Sequence, residues 1–487
     1  MTDFGYSSDY EVYLTRENGV QIVTNDLSLA ILREMRYHEI TPTNVAMEFE
    51  VSKSTIQASI TKLLRMGIVS QEENVTDSRS VVYRIDSALL FTSDTDIEWQ
   101  MYARRASAKR IMKTGRCTSR EDLSLYSVSL TESGLNVVQG LFAVGSALTR
   151  GYDGYDYWPV VVEDIHQQCE RRGIEVEVSV KDGVDFHFKS EEEDISDVPL
   201  IIVPMLGSLI SNSKKVFSYN LVNDVQLTVS DSGHDVRMHI NPFIGQDYRK
   251  KPFLLTNINQ YRVNEPFAIY SIGGEATLFT NTTMMSVLYA LSDGDNSANG
   301  LSETIGIPKA TVYAAIMKLI EMGAVAVDKS SNSPKNYKLL ADPILYCREP
   351  ESNNCDRLDS IVNSFQKGEI DYYSAVISYA MESIRCMGIH FDKMFTRAGK
   401  SMAQIILELN PSMEPQEFLD SACTMVSVPD NLEIVTLIPL KLRIVLAQNT
   451  LWESWPGDFT KGYVAEGLKQ LTGDDYKIRI ETVRQKS

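Results

Sequence analysis

Residues 51–67 read VSKSTIQASITKLLRMG, and residues 307–323 read IPKATVYAAIMKLIEMG. Laid over each other without a gap, 8 of 17 positions are identical: Lys53/Lys309, Thr55/Thr311, Ala58/Ala314, Ile60/Ile316, Lys62/Lys318, Leu63/Leu319, Met66/Met322 and Gly67/Gly323. Three further pairs exchange one branched aliphatic residue for another. The same offset of 256 matches Thr24-Asn25 with Thr280-Asn281 and Ile31-Leu32 with Val287-Leu288. A shared period over this distance is the sequence signature of an internal duplication. It predicts two copies, near 1–245 and 257–487.

The first copy has the signals of a compact helical unit. Asn25 or Asp26 can cap a helix whose apolar residues Leu27, Ala30, Ile31 and Met35 recur at helical spacing. Thr41-Pro42 opens a short helix, with proline at the first turn where no amide partner is lost. Glu50-Val51-Ser52 turns the chain, and a longer helix runs from Lys53 to Met66. It is expected to bury Ile56, Ile60, Leu63 and Leu64 and to stop at Gly67. A strand pair then encloses a polar excursion from Ser70 to Ser80. The second copy repeats the order: helices near 284–291, 301–305 and 308–322, then strands around a Ser/Asn-rich loop.

Helix, helix, tight turn, helix and a two-stranded wing resemble a winged helix-turn-helix. The loop Thr76-Asp77-Ser78-Arg79-Ser80 is similar to the Asp-x-Arg wing of MarR-type regulators. That resemblance implies that Asp77 orients Arg79 toward a minor groove. The second copy, with Ser330-Ser331-Asn332-Ser333 there, departs from the pattern. Two such units in one chain also depart from the usual MarR layout.

A helix fits the major groove, and side chains on its outward face reach base edges. With the apolar stripe inward, the outward set is Lys53, Ser54, Gln57, Ala58, Thr61, Lys62 and Arg65. Gln57 suits adenine; the cations suit phosphate or guanine. Residues 52–66 hold three positive charges and no acid in a chain of net charge −18. In the second copy Lys309, Tyr313, Ala314, Met317 and Lys318 face out, with Glu321 beside them and Lys329, Lys335 and Lys338 in the wing. That face reads as a weaker duplex binder or a protein-contact surface. Between 101 and 120 lie Arg104, Arg105, Lys109, Arg110, Lys113, Arg116 and Arg120 with no acid, so this stretch is expected to contact phosphates.

The remainder of each copy reads as an α+β domain. Asp182-Gly183 and Asp231-Ser232-Gly233 are hairpin signals between alternating strands. The stretch Phe395-Thr396-Arg397-Ala398-Gly399-Lys400-Ser401-Met402-Ala403 is similar to vinyl-reductase-type sensor domains; no binding residue is carried over. Trp158, Trp452 and Trp455 are candidates for a ligand pocket. The expected fold class is α+β, with two tandem winged helix-turn-helix domains each followed by an α+β domain. The segments are 1–92 (with an N-terminal hairpin), a basic linker helix 93–125, 126–256, 257–346 (also opening on a hairpin) and 347–487.

The acidic balance excludes a uniformly basic nucleic-acid coat. The longest nearly apolar run, 198–210, is too short to span a bilayer, which takes about 20 residues. Six scattered cysteines do not form a disulfide framework. His166-x-x-Cys169 with Glu163 falls short of a metal ligand set, and no nucleophile elbow or phosphate loop is present. The expectation is a cytoplasmic, non-enzymatic, sequence-specific transcription regulator without metal or cofactor. Its partner is double-stranded DNA, with a small-molecule effector and a second copy as further candidates and no membrane. A plasmid- or phage-type replication initiator and a non-catalytic interaction scaffold are the alternatives.

Overall fold

The computed structural model describes residues 9–35, 39–73, 81–92, 98–131, 163–211, 218–243, 265–328, 335–347, 356–386, 392–425, 431–446 and 455–484, with short interruptions, and part of 141–148. The first stretch opens on a hairpin, β1 (Glu11–Leu14) and β2 (Val20–Val23). Helices α1 (Asp26–Met35), α2 (Pro42–Glu48) and α3 (Lys53–Arg65) follow, then β3 (Val69–Glu73), β4 (Val81–Ile85) and β5 (Ala88–Thr92). Asn25 accepts from the Ser28 amide before α1, and Thr41 accepts from the Asn44 amide at the start of α2. Ser52 accepts from the Thr55 amide at 3.2 Å, and Gly67, at φ 73°, ends α3. Between α2 and α3 the chain turns through Glu50 at φ 55°, the one non-glycine in the left-handed region among the described residues.

β3 and β4 pair as the wing, and Ile40 bridges to Tyr83 on β4. β5 returns to β1, giving the order β2-β1-β5. Leu29, Ile31, Leu32, Val45, Ile56, Ile60, Leu63 and Ile68 form the core beneath. Leu64, expected inside, is only partly buried at its edge.

Next come α4 (Glu98–Thr114), α5 (Ser119–Thr131), β6 (Glu175–Val180), β7 (Val184–Lys189), α6 (Val198–Ser211), β8 (Val225–Val229) and β9 (Asp235–Ile240). The four strands form one antiparallel sheet, β6-β7-β9-β8, with Phe186, Phe188, Val236 and Met238 buried and α4 packed on β8. The apolar run at 198–210 is α6.

From 267 the opening order recurs: β10 (Phe267–Ile272), β11 (Glu275–Phe279), α7 (Thr282–Leu291), α8 (Ala298–Ile305), α9 (Lys309–Glu321), β12 (Val325–Val327), β13 (Asn336–Leu339) and β14 (Asp342–Cys347). The sheet order is β11-β10-β14, and Asn296-Ser297 pairs with β13 as Ile40 does with β4. Each central strand carries a register shift against its returning strand, between Val12 and Tyr13 and between Ile269 and Tyr270. Gly306, at φ 74°, stands at the turn position that Glu50 occupies earlier. The chain ends with α10 (Asp356–Gln366), α11 (Tyr372–Cys386), α12 (Asp392–Leu409), α13 (Pro415–Thr424), the hairpin β15 (Asn431–Leu437) and β16 (Leu440–Leu446), α14 (Trp455–Thr472), and β17 (Arg479–Arg484), which pairs parallel to β16.

In place of five consecutive segments, these elements gather into two compact units. One comprises 1–94, 257–352 and 385–390; the other comprises 95–256, 353–384 and 391–487. Within the first unit, the edge strands β2 and β11 lie against each other. Within the second, α12 packs on α4 and α5 although more than 250 residues separate them, and Tyr126 stacks on Phe395 with ring centroids 5.7 Å apart. The α12–α14 contact is backbone to backbone. A Cβ on Gly399 would fall 2.0 Å from the Phe459 carbonyl oxygen, and one on Gly462 would fall 1.8 Å from that of Thr396. Gly145 meets the Pro204 carbonyl of α6 in the same way, at 1.8 Å from its would-be Cβ.

Candidate nucleic-acid interface

α3 is held from beneath by three fully buried residues, Ile56, Ile60 and Leu63, so its opposite face points to solvent. Lys53, Ser54, Ala58, Lys62 and Arg65 are exposed there, and Gln57 and Thr61 are half-buried at its margins. The polar groups are arranged before any ligand arrives. Gln57 Nε2 donates to Tyr83 Oη on the wing at 3.3 Å, which holds the amide against β4. One amide hydrogen and the carbonyl oxygen of Gln57 remain for a base edge. Thr61 Oγ1 donates back to the main-chain carbonyl of Gln57 at 2.7 Å, leaving its methyl and its lone pairs on the surface. The Ser52 and Ser54 hydroxyls lie 2.8 Å apart at the helix start. Asn18 Nδ2 donates to the Arg65 carbonyl at 3.2 Å and satisfies one of the open acceptors at the other end. Tyr83 and Asn18 escaped the sequence reading because their contacts to α3 come from a wing and a hairpin whose register only the fold sets.

α9 occupies the same position in the second stretch. Val312, Ala315, Ile316 and Leu319 are buried beneath it. Lys309, Tyr313, Ala314, Met317, Lys318 and Glu321 are exposed, with Tyr313 at 48% and Met317 at 39%. Lys335 and Lys338 are exposed on the wing side. Burial pushes the Tyr337 hydroxyl up, with a smaller contribution from the neighbouring Tyr313. Tyr337 on β13 pairs with Asn296 as Tyr83 on β4 pairs with Ile40. Asp77, Arg79 and Lys329 lie outside the described residues.

The basic stretch 101–120 is built differently from the expected phosphate-contacting arm. α4 and α5 are part of the second unit's interior, with Ala103, Ala106, Ala108, Ile111, Leu123 and Tyr126 buried. Arg104 is 1% exposed, and its guanidinium donates to Ser401 of α12. Arg110 donates to Glu121 at 3.0 Å and to Asp197 at 2.8 Å; Arg120 donates to Asp197 at 2.8 Å. Lys109 pairs with Asp194 at 2.8 Å. Arg104 and Arg110 are thus not available to a duplex, and Lys109 is already engaged. Asp194 and Asp197, far along the chain, together with Glu121 neutralise Lys109, Arg110 and Arg120, so this part of the positive run is balanced in space. Burial opposes ionisation of Asp197, but the two arginines outweigh it and hold the carboxyl below the usual range. Arg105 remains exposed beside them.

Trp158 and Trp452 lie outside the described residues, and Trp455 opens α14 with its side chain likewise outside them. Among the described residues no group of three or more His, Cys, Asp or Glu is placed to hold a metal ion. Cys117 is buried beside Asp122 and its thiol is pushed well up, chiefly by burial. Among the described residues no helix is long and apolar enough to cross a membrane.

Residues 285–343, which run from α7 to the start of β14, match the family model for the sugar-specific transcriptional regulator TrmB, a winged-helix family. The chain therefore carries a segment similar to a transcription-regulator module, within a mixed α+β architecture. Neither the curated proteins nor the solved structures gave a match.

Proposed function

We propose that the chain is a double-stranded-DNA-binding transcription regulator whose two winged helices, 1–94 and 257–352, arose by duplication and act as a pseudo-two-fold pair. The observation that carries this reading is α3: a rod with three exposed cations and no acid, in a chain of net charge −18. A protein so acidic overall repels a polyanion except where its surface reverses sign. The recurring element order, the presence of a register shift on both β1 and β10 and the match over 285–343 support duplication of a regulator module. Contact between the equivalent edge strands β2 and β11 supports a two-fold relation, because an isologous contact joins like to like. The second unit is where an effector would act; the matched segment lies outside it, so no sugar specificity is carried over to this chain.

Five exposed cations on the two helices (Lys53, Lys62, Arg65, Lys309, Lys318) predict a plot of log affinity against log salt with slope about −4 to −5. Fluorescence anisotropy with random and genomic duplex over a salt series tests this. An affinity for duplex that ignores salt, or none near about 100 mM salt, contradicts the proposal. One observation favours a second reading, a protein-interaction scaffold: the exposed apolar side chains Tyr313, Met317 and Met322 of the second module. A scaffold predicts no salt-dependent duplex affinity.

A further inference from the structure

The two outward helix faces differ in a regular way. Lys53 and Lys62 recur as Lys309 and Lys318, and Ala58 recurs as Ala314. Thr55 recurs as Thr311 as well, but three other positions of the outward face do not. Ser54, Gln57 and Thr61 become Ala310, Tyr313 and Met317, so at these three positions only the tyrosine hydroxyl can still hydrogen-bond. An exposed apolar strip flanked by cations invites a partner that is itself anionic with an apolar feature at its centre. Within the major groove the apolar feature is the C5 methyl group of thymine, set between two rows of phosphates.

We infer that the second winged helix reads thymine methyl groups through Tyr313, Ala314 and Met317, while the first reads polar base edges through Gln57. This rests on the proposed DNA binding and deepens it: the preferred operator has two unlike halves, one of them thymine-rich. Lys309 and Lys318 stand exposed at the two ends of the strip, and Lys335 and Lys338 extend the positive rim on the wing side. That rim favours a groove over a protein surface as the occupant. Glu321, where the first helix has Arg65, weakens phosphate attraction at one end and leaves more of the discrimination to the apolar contacts.

The test uses the full chain. A duplex is selected from a random pool, and thymines in either half are replaced by deoxyuridine, which removes only the methyl group. The expected loss is about four-fold per thymine in one half and little in the other, the factor that burying one methyl group corresponds to. Met317→Gln removes the difference between thymine and uracil duplexes, whereas Gln57→Ala leaves it in place. Equal binding of thymine and uracil duplexes by the natural chain overturns the inference while leaving DNA binding intact. So does a uracil penalty that survives in Met317→Gln. Recovery of no duplex at all overturns the proposed regulator and the inference with it. If light scattering shows that Met317→Gln changes the oligomeric state, the strip belongs to a protein contact, and the inference falls.

Discussion

α3 and α9 share a buried stripe, two lysines and a glycine stop, yet their outward faces offer different chemistry. The first presents Ser54, Gln57, Thr61 and Arg65; the second presents Ala310, Tyr313, Met317 and Glu321. The inward residues answer to a core that tolerates only apolar volume, so they changed little: Ile56 to Val312, Leu64 to Ile320. The outward residues answer to whatever the face touches. A third region completes the contrast. α4 holds five cations to the three of α3, but Arg104 and Arg110 are spent inside the fold on Ser401, Glu121 and Asp197. Positive charge marks an interface only where the structure leaves it on the surface.

The largest expected effect breaks or upholds that last contrast. Asp197→Asn leaves Arg110 and Arg120 without their shared buried carboxylate and is expected to cost about 3–5 kcal/mol in denaturant unfolding. An unchanged midpoint would return these arginines to the surface. Because the folded state holds Asp197 below the ordinary carboxylate range, its contribution is present at neutral pH. It is lost as pH falls through the folded value, so the natural chain should lose stability in acid more steeply than Asp197→Asn.

Next in size is the comparison of the two faces. Lys53→Ala with Lys62→Ala and Arg65→Ala is expected to lower duplex affinity on the order of 100-fold and to flatten the salt slope by about three. Lys309→Ala with Lys318→Ala should flatten it by about two. Equal losses of slope from the two sets would mean that Arg65 makes no phosphate contact.

A smaller effect concerns the paired turns. Glu50 sits at φ 55° where the second module has Gly306, and the left-handed region disfavours a residue with a Cβ. Glu50→Gly is expected to raise stability by up to about 1 kcal/mol, and Gly306→Glu to lower it by about the same. Thermal unfolding of both variants checks the sign. Last, Glu321→Arg should raise duplex affinity a few-fold, by restoring at the second helix the charge that the first carries.

Much of the first unit was legible because helical periodicity, caps and glycine stops are local. Ile56, Ile60 and Leu63 face inward as spacing requires, and Thr41-Pro42 opens α2, whereas Ser52, read as part of the turn, caps α3. The association of the halves was not legible. Tyr126 on Phe395 and Arg104 on Ser401 join residues whose separation no periodic pattern reports. A hint of Arg104's burial was present: Ala103, Ala106 and Ala108 surround it, small residues of the kind that line close helix contacts. The role of Tyr83 in positioning Gln57 depended on wing register, which the polar loop before β4 does not encode.

The central claim is that the face of α3 enters a DNA groove, and crosslinking tests it most directly. p-Benzoylphenylalanine in place of Ala58, on that face, is predicted to crosslink to bound duplex in a way that unlabelled duplex suppresses. The same group in place of Lys113, exposed on α4, is predicted to give no crosslink. Crosslinking from position 113 but not from position 58 would contradict the account.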